Sequence, residues 1–226
     1  MLAAAKAVGT EPITGEHAGE PVPRSGRRPQ FDSIARSVPD GRAALAAEMV
    51  PLPTLTDDQP AVRQALAALT LAERANWMHG LPKRDMAKLW EDGQPLLLSE
   101  MVGAEGEIIR HEGQNDLLPF FDRFEKHVVG RGGGVQGINV QKFSWLVGPG
   151  HFSVRQEGEE VWFDYTTVPT SIPDGWPAIV PNDKGLSTLV YGNMIDRVRA
   201  VTPGFVVGKV FRHGKPENHY FALIRR

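Results

Sequence analysis

From Leu189 to Arg226 the apolar positions alternate with polar ones and are broken twice by turn residues, a pattern that predicts three short strands. Residues 189–201 run into Val201-Thr-Pro-Gly204, where Pro before Gly suits a type I or II turn. Phe205 to Phe211 follow, rich in β-branched and aromatic side chains. The tract His213-Gly-Lys-Pro-Glu-Asn218 closes a second hairpin, and His219 to Ile224 make the last strand. A meander with one apolar face needs a partner layer or a closed barrel to bury that face.

Further upstream the period changes. A helix is expected from about Thr56 or Asp57, with Pro60 in its first turn and Val62, Leu66 and Leu69 recurring at helical spacing. Leu71, Ala75 and Met78 predict a second helix or a continuation, ended by Gly80-Leu-Pro82. Lys83 to Trp90 reads as a third, with Met86, Leu89 and Trp90 on one side and Trp90 over the end of the sheet. Leu117, Phe120, Phe121, Phe124 and Val128 also fit a helical stripe, so 117–129 is expected to be a crossing helix. Strands are expected around 105–111, 138–147, 151–156 and 160–167, and the Gly-rich run 130–137 as a flexible connector. The Pro- and Gly-rich stretch 168–186 is long for a compact domain and reads as a lid or binding loop.

Residues 1–50 carry few large apolar groups, apart from a short helical pattern within 41–50, and are expected to be a largely disordered arm. The expected organisation is therefore an arm (1–50), a helical cap (51–95) and a β-barrel (96–226). The fold class is mainly β (α+β), an antiparallel barrel with an N-terminal helical cap.

Composition narrows the chemistry. The formal net charge is −2, so no global field steers the chain to nucleic acid or a membrane. Basic residues outnumber the single acid Glu217 after Arg197, yet no aromatic ladder or basic recognition helix accompanies them. There are 0 cysteines, which removes disulfides, thiolate nucleophiles and Cys-ligated zinc. No secretory h-region and no stretch of ~18 apolar residues is present. A cytoplasmic location with no membrane partner is the expectation.

Motifs are few. Gly132-Gly-Gly134-Val-Gln-Gly137 satisfies GxGxxG, but a strand follows it and a helix is expected before it, the inverse of a dinucleotide fingerprint. His111-Glu112 lacks the second histidine of HExxH, and His213 with His219 finds no third ligand, so neither metal nor cofactor is expected. No GxSxG nucleophile elbow occurs. On residues 194–199, alternation puts Met194, Asp196 and Val198 on one face and Ile195, Arg197 and Arg199 on the other.

The run FDYTT, the long loop, MIDRVRAVTPGFVVGKVF and YFAL resemble the C-terminal half of bacterial lipocalin-like domains, small β-barrels of calycin type. Leu89-Trp90 followed by Met101-Val-Gly103 is similar to their lead-in, where GxWxG is common; here Glu105 stands in place of the Trp. The resemblance covers residues 86–226 and implies a barrel with an apolar cavity for a small hydrophobic ligand.

Binding of a small apolar molecule is thus the leading expectation, with Phe143, Trp145, Phe152, Trp162, Trp176, Tyr191, Phe205 and Tyr220 as candidate pocket aromatics. The alternative is a cofactor-independent isomerase, cyclase or lyase in the same cavity. Its acid–base groups would be Asp164, Tyr165, Asp196 and His219, which lie on or beside expected strands with aromatic neighbours. A third class, an interaction module docking through the Pro-rich arm, would lose its partner on deletion of residues 1–50.

Overall fold

Short helices precede a barrel in the computed structural model, which describes residues 52–56, 58–117, 122–142 and 147–226. The expectations for the 1–50 arm, its short helix, Phe143 and Trp145 fall outside the described residues.

The helical section follows its local signals. Helix α1, Gln59–Ala68, starts at Asp58, whose side chain accepts from the Ala61 N–H at 3.1 Å. Helix α2, Leu71–Met78, opens with a reciprocal capping box between Thr70 and Glu73. Helix α3, Lys83–Glu91, begins after Pro82. Their buried faces (Leu66, Met78, Met86 and Leu89 among them) pack with Trp77 and Trp90 against Phe205, Val207, Ala222 and Ile224 of the last two strands. Trp77 meets Phe205 edge-on, with ring centroids 5.9 Å apart. Among the described residues no helix is long and apolar enough to cross a membrane.

Eight antiparallel strands close in sequence order: β1 Ile108–Asn115, β2 Arg123–Arg131, β3 Gly134–Val140, β4 His151–Glu157, β5 Glu160–Asp164, β6 Met194–Thr202, β7 Phe205–Arg212 and β8 Lys215–Arg225. β8 completes the ring by pairing with β1, from His111 against Arg225 to Asn115 against Phe221. The architecture is consistent with a calycin-like barrel.

The C-terminal meander forms as expected, except that its second turn is only His213-Gly214 and β8 already begins at Lys215, four residues before the expected start. Three other expectations are corrected. Residues 123–131 form β2, not part of a helix; the rest of the expected helix lies partly outside the described residues. Phe124 and Val128 share a face at four-residue spacing in either a helix or a strand, and ladders to β1 and β3 decide for the strand. The Gly-rich run is no flexible connector: Gly132 and Gly133, at φ +61° and +77°, make the tight β2–β3 turn. Residues Ser187–Tyr191 form a short helix, here α5, and β6 starts only at Met194.

The barrel's two ends differ. At one end tight turns join β2–β3, β4–β5 and β6–β7, and the segment before β1 lies across them, including α4, Leu98–Met101. There Leu96 N–H donates to Glu159 O at 2.9 Å, and Leu96 and Met101 bury themselves among Val128, Val154, Val198 and Leu223. At the other end the β1–β2, β3–β4 and β5–β6 connections are longer, and this is where a pocket opens.

Candidate functional site

The pocket at the long-loop end has a volume of about 310 Å³, at the small end of the ~300–1,000 Å³ typical of ligand sites. Its walls include Phe124, Val190, Met194, Val210 and Phe221, its rim Asp116, Arg212, Glu217 and His219, and its polar floor Lys126, Asn139, Tyr165 and Asp196.

Strand alternation builds the floor. On β2, Phe124, Lys126 and Val128 point inward; Lys126 pairs with Asn139 of β3 on one side and His111 of β1 on the other. Asp196 is inward on β6, flanked by Met194 and Val198, in the alternation expected for that strand. Tyr165 follows β5 on the side of Phe163. Lys126 Nζ donates to Asn139 Oδ1 at 2.9 Å, to Asp196 Oδ2 at 3.1 Å and to the Tyr165 hydroxyl. Asn139 Nδ2 donates to the same hydroxyl at 2.8 Å. Five rings (Phe124, Phe152, Phe163, Tyr165 and Phe221) stand 5.0–5.4 Å from Nζ, a cage that suits a desolvated cation.

Two glycines make room for that cage. A Cβ at Gly137 would lie 2.4 Å from the Phe152 ring, and one at Gly208 would lie 2.0 Å from Phe221. The inward phenylalanines therefore lie flat over neighbouring backbone.

Burial sets the electrostatics. It lowers the Lys126 pKa and raises that of Asp196, each effect opposed by attraction to the other. Burial, with the Asp196 charge beside it, pushes the Tyr165 hydroxyl well above the ordinary tyrosine range. Tyr191, on α5, stacks on Tyr165 at 5.2 Å with planes 9° apart, and its hydroxyl accepts from Gln141 Nε2 at 3.0 Å. Burial raises the Tyr191 pKa to about 12.

Of the four candidate acid–base residues, the structure brings Tyr165 and Asp196 together and leaves two apart. Asp164 points to the outer face, where it accepts from Arg155 and from the Thr166 N–H, which hold its carboxyl below the usual range against the effect of burial. His219 sits at the pocket rim with 48 % of its side chain exposed, its Nδ1 3.0 Å from Asp116 Oδ1.

The candidate aromatics also divide. Tyr191 and Tyr220 line the pocket, and Phe152 lies beneath it in the barrel core. Trp162 is on the outer wall between Arg155 and Arg197, and Phe205 is buried under the helices. Trp176 stands beside His151, 6.4 Å between ring centroids. The loop 168–186, expected as a lid, contributes no lining residue. Asn182 ties it to the His151 and Tyr165 carbonyls, and its Ile172 carbonyl accepts from Arg131 near the β2–β3 turn. The lining on this side comes from α5 instead.

Lys126, Asn139, Asp116 and Arg212 are the floor and rim groups that sequence reasoning missed. Reading FEKHV with period two would have set Phe124, Lys126 and Val128 on one face and flagged a lysine among inward apolar residues. Among the described residues no group of three or more His, Cys, Asp or Glu is placed to hold a metal ion.

No family model, no curated protein and no solved structure matches this chain.

Proposed function

We propose that the barrel binds a small, mainly apolar molecule in the pocket between α5 and the open ends of β1, β2, β7 and β8, as a calycin-like carrier would. The observation that carries this reading is the pocket itself: apolar walls lead down to one compact polar cluster that separates the pocket from the barrel core. In this reading α5 and the Arg212 contacts frame the entrance, and the N-terminal helices brace the barrel wall.

The pairing of Asp196 with Lys126 favours binding over acid–base catalysis. Asp196 Oδ2 is held 3.1 Å from the Lys126 ammonium, whose other protons go to Asn139 and Tyr165, so the pair is tied up as a structural contact, and a tyrosine pushed upward is a weak acid.

The test is a titration of the full chain with an environment-sensitive hydrophobic dye. One-to-one saturable binding is expected, abolished by Val210→Trp, which fills the pocket from the position beside Asp196 on the neighbouring strand β7. Unsaturable binding, or binding untouched by Val210→Trp, would count against the reading.

A further inference from the structure

The hydrogen-bond inventory of the floor leaves one group over. Lys126 has three N–H donors, and all three are spent on Asn139, Tyr165 and Asp196 Oδ2. The Tyr165 oxygen accepts twice, from Lys126 and from Asn139, and burial beside the Asp196 charge keeps its proton on. What remains is Asp196 Oδ1, a buried acceptor with no partner, on a residue that lines the pocket. A buried acceptor left unpaired is costly, and an occupant that supplies the missing proton recovers that cost.

We propose that the pocket selects a neutral hydrogen-bond donor: a small apolar molecule with one hydroxyl or N–H group, such as a phenol or alcohol, donating to Asp196 Oδ1. This rests on the cavity-binding reading above and narrows its ligand class. A carboxylate ligand, the head group of a fatty acid, brings acceptors to an acceptor and a second negative charge to Asp196. An amine cation brings a donor, but Asp196 is already neutralised by Lys126, and the new charge would lie beside Lys126 and within a pocket that Arg212 also lines. A neutral donor meets neither penalty. The apolar walls then contribute affinity without selecting the head group, and the floor contributes selection.

Three probes of one shape test the proposal on the full chain by fluorescence titration: 2-naphthol (neutral at pH 7), 2-methoxynaphthalene and 2-naphthoate. The expected order is naphthol tightest, the ether about tenfold weaker for want of a donor, and the carboxylate weakest. In Lys126→Met/Asp196→Leu, which replaces the ion pair with apolar groups, naphthol and its ether should bind alike. Should that variant fail to fold, the ranking on the unmodified chain still decides. An ether equal to naphthol, or naphthoate binding tightest, overturns the donor proposal while leaving cavity binding intact. If none of the three binds, and the hydrophobic dye fails as well, the cavity reading itself falls and this inference with it.

Discussion

Lys126 Nζ lies 3.1 Å from Asp196 Oδ2, and the strands that carry them, β2 and β6, sit four places apart in a ring of eight. The ion pair therefore spans the barrel as a strut between opposite walls. Neither charge has bulk water to fall back on, since the side chains are 2 % and 5 % exposed. Removing one partner strands the other: Lys126→Met alone should lower unfolding stability by about 3–5 kcal/mol. The double substitution Lys126→Met/Asp196→Leu should cost far less than the sum of the singles. Urea unfolding of the four members of this cycle measures the coupling, and additive losses would argue against a direct pair.

A second buried base gives the barrel a specific acid sensitivity. His111 faces the interior of β1, is 1 % exposed, and has no hydrogen-bond partner on either ring nitrogen. Burial lowers its pKa from 6.5 to about 4, helped by Arg225 of β8, opposed by the Lys126 backbone, and helped less by the charges of Lys126 and His127 on β2. The unfolded chain takes up this proton near pH 6.5 and the folded chain only near 4. The contribution is thus complete above about pH 6.5 and is lost as pH falls toward 4, by about 3 kcal/mol in all. His151, lowered by burial, adds in the same direction. The difference between the unmodified chain and His111→Leu isolates the His111 share, and parallel stability curves between pH 6.5 and 4.5 would refute it.

Gly137→Ala should be costly for a reason visible only inside the barrel. The added methyl would stand 2.4 Å from the Phe152 ring and 2.7 Å from the His127 carbonyl oxygen, and the backbone contact cannot be relieved by a rotamer change. Overpacking of this kind costs about 1–3 kcal/mol. A thermal midpoint unchanged from the parent would mean that the ring and strand give more easily than this packing implies.

Arg212 holds the entrance to the pocket. Its guanidinium donates to Gly192 O at 2.7 Å, Val190 O at 3.2 Å and Glu217 Oε1 at 3.0 Å, fastening the end of α5 to β7 and β8. Arg212→Met should raise amide exchange in residues 188–193 and weaken dye binding by about tenfold, with little change in global stability. Faster exchange without weaker binding would separate the α5 anchor from the site.

The helices predict one more outcome. They cover Phe205, Val207, Ala222 and Ile224, so a fragment that begins after α3 exposes a continuous apolar wall and should aggregate. Limited proteolysis that releases a stable fragment starting within 100–130 would show the helices to be dispensable.

Local chemistry was enough for much of this fold. Asp58 and the Thr70–Glu73 pair mark helix starts because capping satisfies backbone groups within one turn, and Pro82 marks the third because its ring fixes φ just before the helix. The β6–β7–β8 meander, with its turns at 203–204 and 213–214, was legible because turn residues and strand alternation are near-neighbour effects. The grouping of Asp196 with Met194 and Val198 on one face followed from the same alternation, whereas barrel closure made that face the inner one. What the chain alone could not settle was set by partners distant in sequence. Phe124 and Val128 fit both periods, and only the ladders to β1 and β3 made 123–131 a strand and turned Lys126 inward. Asp164 and Tyr165 are adjacent, yet the pleat sends one to Arg155 outside and the other to Lys126 inside. The floor joins residues up to 70 positions apart, Lys126 to Asp196, through barrel closure. That contact exists only once all eight strands have paired, so no local signal encodes it, and the pocket's chemistry belongs to the tertiary structure.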